Sequence, residues 1–169
     1  LLLEECLNSI LNQTYVYWEL LAVNDNSADS SFDILDKYSK KDNRIKVFNN
    51  GGSGIIDALR LAYNKSSGVL ITRMDSDDIM QPKKLELMVQ DLQKNGTGNI
   101  ALGLVKYFSE EGIGDGFSKY ESWLNSLTKK GSNFSEIYKE CVIPSPCWMV
   151  WKEDFEKSGG FNSTVYPED

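Results

Sequence analysis

Apolar residues recur at Leu3, Leu7, Ile10 and Leu11, which is the spacing of one helical face, and predict an amphipathic helix over residues 2–12. The run ELLAVND, residues 19–25, reads as a short buried strand ending in polar residues. NDNSADSS, directly after its apolar part, is rich in turn and N-cap formers. Phe32, Leu35 and Tyr38 then mark a second helix that ends in charged residues near Asp42. RIKVF, residues 44–48, is a strand by alternation, and NNGGSG, residues 49–54, is a loop. Residues 55–64 form a helix with Ile55, Leu59 and Ala62 expected inward. Residues 69–74 read as another strand, and Pro82 suits the first turn of a helix over 83–94.

Strand and helix thus alternate, and the pattern predicts an α/β fold. Its sheet should be Rossmann-like, doubly wound and mostly parallel, with helices on both faces. Ligands of such sheets bind beyond the carboxyl ends of the strands. Asp25 and Asp75–Asp78 both fall at that edge. The second half is less regular. Residues 100–108 read as a strand, FSKYESWLNSL at 117–127 as a helix, and PCWMVWKEDFEKSGGF as strand, short helix and glycine stop. No linker or repeat divides the 169 residues, which suffice for one domain with a real core.

Composition narrows the chemistry. Apolar residues make up 41%, so the chain should fold. A net charge of −7 argues against a nucleic-acid partner. Cys6, Cys141 and Cys147 form no CxxC pair, so neither a zinc site nor a disulfide framework is indicated, and a reducing compartment is expected. No apolar stretch approaches the ~20 residues that span a bilayer. There are no histidines, which excludes a Ser-His-Asp triad, a Cys-His pair and any histidine metal ligand in this chain. Acid or base work at neutral pH falls to carboxylates, Lys, Tyr or Cys.

The sharpest signal is ITRMDSDDIMQPKKLE, where Asp75, Asp77 and Asp78 crowd the end of a strand. Crowded carboxylates repel unless water or a cation relieves them. A solvated capping turn is one reading. A site for Mg2+ or Mn2+, hard cations that bridge carboxylates to substrate phosphates, is the other. A calcium loop is excluded, because Ile79 and Met80 stand where a ligand and a glycine are required. Asn24-Asp25-Asn26-Ser27 reads either as a helix cap or as a hydrogen-bonding site for a base or ribose. GGSG lacks the spacing and the GK[ST] ending of a phosphate loop. The terminal Glu168 and Asp169 read, alone, as a solvated tail.

Taken in order, CLNSILNQTYVYWELLAVNDNSADSS, a glycine-containing loop and helix, SSGVLITRMDSDDIMQPKKLE, WKEDFEKSGGF and YPED resemble glycosyltransferase family 2. That family is inverting and has the GT-A fold. The resemblance is close over residues 3–86 and resumes over 144–169. It implies one catalytic domain over 1–169, with a nucleotide-sugar part at 1–99 and an acceptor-side part at 100–169. Asp25, with Asn24 beside it, would contact the nucleotide base. Asp75 and Asp77 would be the DxD pair, Asp77 on the metal and Asp75 on ribose or sugar, with Asp78 alongside. Asp169 would be the catalytic base with Glu168 beside it, and Arg73 would help to neutralise the diphosphate.

The activity implied is transfer from a nucleotide sugar, UDP-linked by family frequency, to a glycan or lipid-linked acceptor. Mn2+ or Mg2+ would be the cofactor. The expected place is the cytoplasm, at the inner face of a membrane with peripheral association. A nucleotidyltransferase and a non-catalytic carbohydrate- or nucleotide-binding module are the alternatives. The sequence departs from the family at Asn24, where Asp is usual, at Arg60, where Asn is frequent, and in the NNGGSG loop. It also begins inside the first helix. The expectation is therefore a fragment lacking a central first strand, with activity in the intact protein.

Overall fold

The structure, a computed structural model, describes residues 2–52, 54–109 and 111–162. Asp169 and Glu168 lie outside the described residues. Helix α1 spans Leu2–Leu11 and leads to β1, Leu20–Asn24. Then come α2, Ser31–Lys41; β2, Ile45–Asn49; α3, Ile55–Lys65; and β3, Leu70–Thr72. The second half holds α4, Lys84–Asn95; β4, Ile100–Leu102; α5, Asp115–Lys130; β5, Trp148–Trp151; and α6, Lys152–Lys157. Helix α5 ends at Gly131, whose φ of 63° is left-handed and whose N–H returns to the carbonyls of Leu127 and Thr128.

The expected α/β class holds, with one change in strand direction. β1 and β2 pair in parallel, Leu20 opposite Ile45 through Asn24 opposite Asn49, with α2 as the crossover. The remaining strands form a second sheet in the order β3-β5-β4, and both of its ladders are antiparallel. Parallel pairing among the described residues is thus confined to β1–β2. Hydrophobic periodicity marks β5 as a strand but carries no information on its direction or partners, which lie far upstream.

Two core clusters result. Leu7, Leu35, Tyr38 and Ile45 pack under the first sheet. Cys6, Ile10, Met80, Leu85, Met88, Val89, Leu92, Ala101 and Met149 pack under the second. Helix α1 feeds both, because Cys6 and Ile10 point one way and Leu7 the other. An apolar cavity of about 300 Å3 lies between the sheets, lined by β1 through Leu20 and Leu21 and by β3 through Leu70, Ile71 and Thr72.

That cavity explains one departure. Ile55, expected inward, is 39% exposed, and no residue of α3 is fully buried. Leu59 and Ala62 line the cavity instead of meeting a packed core. The strand expected over 100–108 stops at Leu102. Beyond it, side chains of α5 satisfy the backbone: Asn125 bonds Val105 at both N–H (2.9 Å) and C=O (2.8 Å), and Glu121 accepts from the Tyr107 N–H at 2.7 Å.

Candidate active site

β1 and β3 set out from one point. Glu19, just before β1, accepts the N–H groups of Ser67 at 2.6 Å and Gly68 at 3.0 Å, just before β3. It also accepts the Ser67 hydroxyl at 2.8 Å, and its second oxygen takes Lys46 Nζ at 2.9 Å. Burial alone would raise the Glu19 carboxyl, but Lys46, Ser67 and Gly68 outweigh it and hold the group down at about 2. The two strands line the same cavity from this shared start. Their far ends lead into the two polar turns singled out in the sequence.

Asp25 follows β1 and organises the loop after β2. Its carboxylate accepts Asn50 Nδ2 at 2.7 Å and the Gly54 N–H at 3.1 Å. Asn50 is buried, and its Oδ1 in turn accepts the Gly52 N–H at 3.1 Å. Asn24 sits on the same rim, its Nδ2 donating to Asn49 Oδ1 at 3.2 Å. The glycine-containing loop is therefore a shelf held by Asp25 and Asn50. The contribution of Asn50 was not read from the sequence.

The acidic turn follows β3. Asp75 is half-buried and paired with Arg73, whose Nε donates at 2.8 Å. Arg73 is thus committed to a carboxylate of the turn. Asp77 is exposed and accepts no hydrogen bond from a described residue, and the Asp78 N–H closes the turn on Asp75 C=O at 3.2 Å. Burial raises the Asp78 carboxyl above the usual aspartate range, and the charges of Asp75 and Asp77 add to this. Burial, and then the charges of Asp78, Asp77 and Asp75, push the Cys6 thiol up to about 11. The crowding inferred from the sequence is real, and a cation would relieve it. No three acidic or thiol side chains among the described residues form a ready metal cage.

Helix α1 holds this turn in place. Ser9 Oγ accepts the Met80 N–H at 3.0 Å and donates to Cys6 C=O at 2.7 Å. Gln13 donates to Gln81 C=O at 2.8 Å and accepts the Leu85 N–H at 3.1 Å. Lys84, at the start of α4, donates its Nζ to Pro146 C=O. Burial holds its ammonium below the usual lysine range, opposed by Cys147, Asp78 and Cys6. Sequence reasoning missed Ser9 and Gln13. The available signal was their position: Cys6, Ser9 and Ile10 share a buried face of α1, and Gln13, also buried, continues that spacing just past its end.

A family model for glycosyl transferase family 2 matches residues 1–159. The chain belongs to glycosyl transferase family 2. A protein of Rickettsia bellii described as an uncharacterized glycosyltransferase is 33% identical over 147 residues, 86% of this chain and 20% of that protein. A similarly described protein of Haemophilus influenzae is 34% identical over 129 residues, 74% of this chain and 40% of that protein. The chain thus spans between a fifth and two fifths of these relatives. Among solved structures, S. aureus TarS aligns with a TM-score of 0.56 at 25% identity, over 67% of this chain and 21% of that one. The mannosyltransferase PcManGT of Pyrobaculum calidifontis, solved with GDP-Man and Mn2+, aligns with a TM-score of 0.60 at 16% identity. That alignment covers 94% of this chain and 43% of PcManGT, and shares the fold. Membership of family 2 removes the ground for the nucleotidyltransferase alternative. No helix among the described residues is long and apolar enough to cross a membrane.

Proposed function

We propose that this family 2 chain is a glycosyltransferase catalytic domain that moves a sugar from a nucleotide sugar, UDP-linked, to a hydroxyl of a glycan or lipid-linked acceptor. The carrying observation is the pair of polar turns, Asp25 and Asp75–Asp78, that follow two strands with a common start at Glu19. Residues 1–99 form the donor part and residues 100–169 the acceptor side. Its setting is the cytoplasmic face of a membrane, without a spanning helix of its own among the described residues.

Asp25 is oriented by Asn50 and Gly54, and from the described residues each carboxylate oxygen accepts one hydrogen bond, so that a lone pair can take a pyrimidine N–H. Asn24 lies beside it as a further hydrogen-bonding group. Asp77, exposed and without a hydrogen-bond partner among the described residues, and Asp75 would hold the divalent cation, with Asp78 in support. The donor set fits Mn2+ or Mg2+, since hard oxygen ligands sit where charge is crowded and substrate phosphates can complete the shell. A bound cation supplies charge compensation for the departing nucleoside diphosphate. Asp169, with Glu168 beside it, takes the proton of the acceptor hydroxyl. As that oxygen bonds to the anomeric carbon, the carbon–diphosphate oxygen bond breaks, which inverts the centre in one displacement.

Calorimetric titration with UDP tests the reading. Binding should require Mn2+, and Asp77→Ala should weaken it by about tenfold or more. Equal UDP affinity with and without Mn2+ would overturn it.

A further inference from the structure

Helix α3 carries a row of side chains that the proposed chemistry leaves unused. Asp57, Arg60 and Tyr63 recur at i, i+3 and i+6 and so stack along one side of the helix. The first abuts the donor shelf: a side chain at Gly52 would collide with the Asp57 carboxylate. Gly54, whose N–H Asp25 accepts at 3.1 Å, caps the same helix. The other two reach α6 and the turn after it. Arg60 Nε donates to the Phe161 C=O at 2.8 Å, and its Nη1 lies 3.9 Å from Asp57 Oδ1. The Tyr63 hydroxyl donates to Glu156 at 2.9 Å. Rings reinforce the contact, since Phe155 lies 4.8 Å from Phe161 and 5.3 Å from Tyr63, centroid to centroid. Gly159 and Gly160, with φ of 99° and 60°, supply the turn that brings Phe161 there.

Arg60 is a position where the sequence departs from family 2, in which Asn is frequent. An asparagine has neither the charge nor the length to reach Phe161 and Asp57 together. The exposed pair with Asp57 adds little energy, and the half-buried, charge-assisted bond to Phe161 is the stronger tie. Such ties weigh in the placement of α3, because none of its residues is fully buried and Leu59 and Ala62 border a cavity. We infer that Arg60 is a positioning residue that couples the donor shelf to the chain beyond α6. Order at Asp25, Asn50 and Gly54 passes along the Asp57–Arg60–Tyr63 row to Phe161. That chain reaches Asp169 eight residues further along the sequence, so a nucleotide that orders the shelf steadies the approach to the proposed base. This consequence rests on the function proposed above; the coupling itself rests on α3 and its contacts.

Hydrogen exchange in the full chain reads the coupling at the amides of Ser158, Gly159 and Gly160, which bond back to Asp154, Glu156 and Phe155 at the end of α6. The first arm needs no ligand. Asn50→Ala loosens the shelf and should speed exchange at these amides by about fivefold or more. Combined with Arg60→Gln, the same substitution should add less than about twofold, the range of independent sites. Arg60→Lys, which can still donate to the carbonyl, should restore most of the effect. An equal effect of Asn50→Ala with and without Arg60 would overturn the inference, as would no effect with Arg60 present. In the second arm UDP with Mn2+, at saturation by calorimetry, should slow the same amides by about fivefold or more, and Arg60→Gln should abolish the slowing. This arm decides the matter where circular dichroism shows that Asn50→Ala does not fold. Bound UDP without slowing in the unmutated chain fails the coupling and spares the transferase. Coupling in the first arm without UDP binding does the reverse.

Discussion

Gln13 is 6% exposed and uses both ends of its amide, on the segment that follows the acidic turn and on the start of α4. A buried donor or acceptor left without its partner costs its desolvation, about 1–3 kcal/mol. Gln13→Leu keeps the bulk but orphans the Leu85 N–H and the Gln81 carbonyl. It should lower stability by about 2 kcal/mol in urea denaturation. It should also weaken UDP–Mn2+ binding, because the segment that follows the Asp77 turn loses its anchor just beyond α1. A surface change such as Lys40→Gln, at an exposed i,i+4 pair, should do neither. The crowded acidic turn after β3 was legible in the sequence because charge gathered at a strand end demands a reason. Gln13, Ser9 and Asn50 were not, because a single polar residue near an apolar face does not declare which distant backbone group it will meet.

At the scale of elements, the tie between β1 and β3 is electrostatic and titrates. The Glu19 carboxyl falls from 4.5 to about 2 on folding. A depressed carboxylate contributes stability that is fully present above its unfolded value and lost as the folded value is approached from above. Stability should therefore fall as pH drops from about 4.5 towards 2, and Glu19→Gln should flatten the curve in that window, measured by chemical denaturation at stepped pH. A slope unchanged in the variant would remove Glu19 from this role. The helices were legible because their apolar rows are local: α1, α2, α4 and α5 lie within a few residues of the expected spans. The direction of β5 was not, since its partners are fixed by contacts with Leu70–Thr72 and Ile100–Leu102. The inward face of α3 was misread at Ile55 because periodicity reports an apolar stripe, not whether anything packs against it.

For the whole molecule, the question is how two sheets with no hydrogen-bonded ladder between them, among the described residues, unfold. Each sheet has its own buried cluster, and the cavity of about 300 Å3 separates β1 from β3. Trp18 and Leu20 pack against both clusters, and α1 contributes buried residues to both. Coupling therefore runs through a few side chains and not through a continuous sheet, which favours sub-global opening. Hydrogen exchange in mild denaturant should protect β5 most, since it alone is paired on both sides among the described strands. The β1–β2 unit should open at a lower free energy. Leu7, 2% exposed, belongs to the first cluster, and Leu7→Ala should cost about 3 kcal/mol. If the clusters are separable, that loss falls mainly on the amides of β1, β2 and α2, while β5 keeps most of its protection. An equal loss of protection in both sheets would mean that α1 and Trp18 bind them into one cooperative unit despite the cavity.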